Sequence, residues 1–121
     1  MEVPRVLNAD LILDSRVYSM LNELHGATDK HHLHFISREY DIHLDLAGAG
    51  NRKTLYGQVK ASGLAPESCL VTLIRDGESY AASETGPSGG FKFHRIRSGS
   101  TTLEILVASR RITATFHVNQ G

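Results

Sequence analysis

The chain of 121 residues and 13.3 kDa has room for one domain and hardly for two, and its 40% hydrophobic and 21% charged content is that of a globular protein. Thirteen Lys and Arg balance thirteen Asp and Glu, a neutrality that excludes a general nucleic-acid binder, which needs excess positive charge to displace counterions. A single cysteine, Cys69, excludes an internal disulfide framework, and no apolar run approaches the ~20 residues of a membrane-spanning helix.

At the N-terminus, Glu2, Asp10 and Asp14 surround a short apolar stretch, which is not the pattern of a signal peptide; the expected location is the cytoplasm. This stretch is expected to add a strand to the fold. Val17, Met20, Leu21 and Leu24 then fall at helical spacing, so one short helix is predicted over 16–24, capped by Asp14 or Ser15.

The strongest pattern lies between Leu33 and Leu46. Leu33 and Phe35 alternate with His32, His34 and Ile36; after Ser37, Tyr40, Ile42, Leu44 and Leu46 alternate with Asp41, His43 and Asp45. The apolar parity switches from odd to even, and one continuous strand would turn the two halves onto opposite faces. A hairpin about Arg38-Glu39 restores a single buried face, with Ser37 against Tyr40, Phe35 against Ile42 and Leu33 against Leu44. That turn lacks the Gly or Asn that primed hairpin turns prefer.

Further strands follow. Leu55 to Val59 is one, interrupted by Gly57. Cys69, Val71 and Leu73 form one face of another, ending at Asp76-Gly77, a strong two-residue turn. The return strand, Ser79 to Ser83, is poor in apolar residues and is expected at a sheet edge. Gly86 to Gly90 is a turn cluster, followed by Phe91 to His94, by a strand carrying Leu103, Ile105 and Val107, and, after a turn at Ser109 to Arg111, by a last strand over 112–118. Seven or eight short strands with turns every eight to twelve residues predict an all-β, antiparallel two-sheet sandwich. Its expected division is an N-terminal extension, 1–52, packed as one unit on a sandwich over 53–121. Phe91, Phe93, Val71, Leu73, Leu103, Ile105, Val107 and Phe116 are the expected core, joined by Ile42 and Leu44.

Thr85, Gly89, Phe91 and Phe93 stand at the spacing of the Thr-Asp-x-x-Gly-x-Phe-x-Phe segment of carboxypeptidase regulatory-like domains, which this part of the chain resembles. Gly57-Gln58-Val59 and the Asp76-Gly77 hairpin sit in similar surroundings. Over about 54–118 the resemblance implies a transthyretin-like sandwich and a non-catalytic role; the His-x-x-Glu zinc pair of the carboxypeptidase catalytic domain does not occur in this chain. The Asp of the motif is Gly86 here, which removes a side-chain bond from the turn. The stretch Ala9 to Arg16, with Tyr40 to Leu44, is similar to bacterial accessory proteins that join such a segment to a regulatory-like sandwich, some encoded near alternative sigma factors. This resemblance implies an interaction or regulatory module whose partner is another protein.

Two clusters carry candidate chemistry. In the hairpin register His34 faces His43 and His32 faces Asp45 on the outward side, and directly opposed residues lie ~4.5–5.5 Å apart at Cβ. His32, His34, His43 and Asp45 therefore form a candidate zinc or copper site, or else a polar face whose imidazoles meet only water. Arg95, Arg97, Arg110 and Arg111 form a late basic group, suited to an acidic protein surface or simply solvated. The edge at Ser79 to Ser83 offers pairing with a partner or a second copy. Carbohydrate or cell-surface binding is a third reading, weakened by the absence of Trp. No nucleophile motif or phosphate loop occurs, and Cys69 is expected to be buried rather than reactive.

Overall fold

The computed structural model describes residues 5–14, 31–48 and 52–119. The helix expected over 16–24 lies outside them. The strands are β1 (Arg5–Asn8), β2 (Asp10–Asp14), β3 (His31–Ser37), β4 (Tyr40–Ala47), β5 (Thr54–Ala61), β6 (Leu70–Arg75), β7 (Glu78–Glu84), β8 (Gly90–His94), β9 (Gly99–Val107) and β10 (Arg110–Val118). They form two five-stranded sheets, in the orders β1-β10-β9-β6-β7 and β2-β3-β4-β5-β8, facing each other as an unclosed sandwich. The described residues hold ten strands rather than seven or eight. One pairing is parallel, β1 with β10, within an otherwise antiparallel fold.

Period-two patterning accounts for both inner faces. Leu33, Phe35, Ile42, Leu44, Leu46, Leu55, Val59, Phe91 and Phe93 point in from the second sheet. Val71, Leu73, Leu103, Ile105, Val107, Ile112, Ala114, Phe116 and Val118 meet them from the first, and all are buried. Phe35 and Phe116 touch across the layers with centroids 6.4 Å apart. Fully burying one such side chain is worth about 1.5–3 kcal/mol, so this shared core rather than any single staple holds the sheets together.

The expected N-terminal extension is built into the sandwich. Strands β3 and β4 supply the middle of the second sheet, and the chain changes sheets at Ala9, whose N–H donates to Thr113 O at 2.8 Å just before β2 begins. The parity switch marks a true hairpin, in the register Ser37↔Tyr40, Phe35↔Ile42 and Leu33↔Leu44. Its turn is closed without glycine: Arg38 itself takes a φ of 53°. Glu39 of the same turn forms an ion pair with Arg110, whose guanidinium also lies over the Tyr40 ring.

The Gly86 to Gly90 turn is closed by backbone bonds, Gly86 N–H to Gly90 O and Gly89 N–H to Gly86 O, each 2.9 Å, in place of the missing Asp. Gly89 has φ 81°, and a Cβ there would stand 2.2 Å from Val59 O. Thr85 ties the turn to the start of β6, its Oγ1 accepting from Cys69 N–H at 2.9 Å. The final turn corrects the sequence reading. It is Ala108-Ser109, with Ala108 at φ 53°, and Arg110 and Arg111 already belong to β10.

Candidate functional site

Strand β4 lies at the centre of its sheet, so its outward residues Asp41, His43 and Asp45 have neighbours on both sides. The register sets His34 opposite His43 and His32 opposite Asp45, as the alternation predicts. On the other flank Asp41 meets Lys60, His43 meets Gln58, and Asp45 meets Tyr56. Three imidazoles and two carboxylates thereby share one half-buried patch.

The contacts are specific. His32 Nδ1 lies 2.7 Å from Asp45 Oδ1, and its Nε2 lies 3.3 Å from His43 Nδ1. A carboxylate only accepts, so with neutral imidazoles His32 donates from Nδ1 and receives at Nε2 the N–H of His43 Nδ1. That chain leaves His43 Nε2 as a bare lone pair. His34 stacks on His43 with centroids 3.9 Å apart and donates from Nε2 to Asp41 Oδ1 at 2.8 Å. Partial burial, then the facing imidazoles of His34 and His32, hold His43 below the usual histidine range; Asp41 and Asp45 oppose this less strongly. A neutral imidazole at pH 7 is the form that ligates metal.

Ligand atoms of His34, Asp41 and His43 all lie within 4.8 Å of one another. Tetrahedral zinc, with bonds of about 2.0–2.1 Å, spaces its ligands about 3.3 Å apart, so closing the triad takes a side-chain rotation rather than a backbone shift. The expected set of His32, His34, His43 and Asp45 thus divides. His34 and His43 form the triad with Asp41, while His32 and Asp45 form a histidine–carboxylate pair hydrogen-bonded to its edge. Asp41 was missed because it sits diagonally across from His34 rather than opposite it; its place on the outward face of the same alternation was the available signal.

Beside this patch runs an open groove of about 520 Å³, lined by His32, His43 and Asp45 together with Tyr56, Gln58 and Lys60 of β5. Gly90 pairs with Gln58 and leaves the space unfilled. Lys92 lies over the ring of Tyr56.

The four arginines are not brought together. Arg95 and Arg97 precede β9, where Gly99 faces Val118, whereas Arg110 opens β10 opposite Val107, at the other end of the sheet. Arg97 lies over Tyr80, Arg110 pairs with Glu39 and Arg111 pairs with Glu104 at 3.5 Å. Cys69 is buried and its thiol is pushed up by desolvation, the Thr85 hydrogen bond offsetting this only in part. Among the described residues no helix is long and apolar enough to cross a membrane.

No family model, curated protein or solved structure matches the chain.

Proposed function

We propose that the protein is a non-catalytic β-sandwich module that binds a divalent transition-metal ion, zinc or copper, through His34, His43 and Asp41. The observation that carries this reading is the convergence of those three ligand groups within 4.8 Å on the paired strands β3 and β4. Binding breaks the His34–Asp41 hydrogen bond and the His34–His43 stack. A hydrogen bond to a charged group contributes about 1.5–3 kcal/mol, well below the roughly 8 kcal/mol of a micromolar site. His32, held by Asp45, positions His43 in the way that outer carboxylate partners orient metal-bound imidazoles.

Thermal melts of metal-stripped protein test the reading. One metal at a hundredfold excess over its dissociation constant stabilises by about 2.7 kcal/mol. The expected result is a rise in Tm with zinc or copper that His34→Ala and His43→Ala abolish and His94→Ala, on the edge strand β8, retains. An equal rise in all variants would place the metal elsewhere; no rise would remove the proposal.

A second reading, an interaction or regulatory module, draws support from the resemblance around Thr85 to Phe93 and from edge strand β2, where Leu11 and Ile12 are about half exposed. An edge unpaired among the described residues, with apolar side chains, suits strand addition by another protein or a second copy. Edge β7 suits it less, being guarded by Glu78 and Glu84 and by a register shift in its pairing with β6. Sedimentation of wild type and Ile12→Glu over a range of concentrations tests self-association: a dimer lost in the variant supports it, and a monomer throughout refutes the second-copy form.

A further inference from the structure

We infer that the metal site keeps an open position facing the adjacent groove, and that this position with Lys60 forms a binding site for a small organic carboxylate. The inference rests on the metal reading above. His34, His43 and Asp41 supply three protein ligands, which leaves at least one coordination position for an exogenous donor. His43 belongs both to the triad and to the groove wall, so the ion borders the groove.

Charge selects the ligand. Two neutral imidazoles and one carboxylate leave a divalent ion with net positive charge. In the groove Asp45 is engaged by His32 at 2.7 Å. Lys60, opposite Asp41 in the β4–β5 register, has no ion-pair partner among the described residues. An ammonium and a Lewis-acidic ion on the same groove suit an anion with two oxygens, one for the metal and one for Lys60. The groove volume of about 520 Å³ falls within the ~300–1,000 Å³ range of small-molecule sites. Its size follows from Gly90: a side chain there would project beside Gln58 into the groove, meeting only Ser88 Oγ at 3.4 Å and Gly57 O at 3.7 Å.

The test uses cobalt(II) as a visible probe, loaded into the metal-stripped full chain, with sodium succinate as the ligand and chloride at matched ionic strength as the control. The cobalt affinity of each variant is measured first. Succinate is expected to change the cobalt absorption bands saturably and chloride is not. Lys60→Met should weaken the succinate response at least tenfold, and Gly90→Leu should abolish it by filling the groove. Cobalt bands that ignore succinate would overturn the carboxylate site while leaving the metal reading intact. A succinate response unchanged in both variants would also overturn it, because the carboxylate would then need only the ion. Failure of cobalt to bind would overturn both proposals.

Discussion

Replacing Gly57 with Ala tests how the floor of the groove is built. Gly57 lies mid-strand in β5, opposite Phe91 of β8, and the Phe91 ring fills the space where a side chain would stand. A Cβ at Gly57 would lie 2.0, 2.3 and 2.6 Å from three ring carbons of Phe91. Carbon atoms prefer ~3.5–4.0 Å, so the ring must withdraw by roughly 1.5 Å from a buried position. Such overpacking costs about 1–3 kcal/mol, and the clash lies at the severe end. Alanine restores about 0.5–1 kcal/mol of backbone entropy, for a net loss near 2 kcal/mol. For a chain of this size that lowers Tm by roughly 6–12 °C. Urea denaturation of Gly57→Ala, Phe91→Leu and the double variant closes the cycle. Leucine lacks the clashing ring atoms, so the two changes should offset each other by about 1–2 kcal/mol. A Gly57→Ala variant within about 0.5 kcal/mol of wild type, or strict additivity, would refute the packing argument.

Other consequences follow from the same contacts. Thr85→Val should cost about 1–3 kcal/mol in urea denaturation, because it leaves the buried Cys69 N–H without its 2.9 Å acceptor; a neutral effect would mean that the amide finds another partner. The Cys69 thiol, 1% exposed and held above its ordinary range by burial, should react with a thiol reagent at least a hundredfold more slowly in the native protein than in urea; rapid native labelling would contradict its burial. His43 protonates below 6.5 in the fold and at about 6.5 in the unfolded chain. The unfolded state therefore binds the proton first on acidification. Its contribution to stability is full above about pH 6.5 and is lost as pH falls through the folded value. Urea midpoints of metal-stripped protein should thus fall less steeply in His43→Gln than in wild type between about pH 7.5 and pH 5.5; equal slopes would contradict the assigned cause.

Local alternation made the hairpin and most of the site legible. A parity switch between Phe35 and Tyr40 admits few repairs, and the one that buries both apolar sets also fixes His34 against His43 and His32 against Asp45. The weak turn sequence misleads only mildly, because two long apolar faces outweigh the cost of a positive φ at Arg38. Asp41 was harder to see, since a direct-opposition rule overlooks diagonal neighbours. What sequence could not supply was long-range pairing. Nothing local in Arg5 to Asn8 announces a parallel partner about a hundred residues away, or that the chain changes sheets at Ala9. The four arginines divide into two pairs for a related reason: β9 runs between Arg97 and Arg110 and carries the chain from one end of the sheet to the other. Ala108, adopting φ 53° without being Gly or Asn, concealed the turn and shifted it by a residue.

The most direct test of the account is X-ray absorption at the zinc edge of the stoichiometrically loaded protein. The predicted spectrum has a shell of nitrogen and oxygen donors at about 2.0–2.1 Å, with outer-shell scattering from two imidazoles, and in His34→Ala, which no longer binds the ion, this spectrum is lost. A spectrum without imidazole scattering, or one unchanged by that substitution, would contradict the claim that His34, His43 and Asp41 hold the metal.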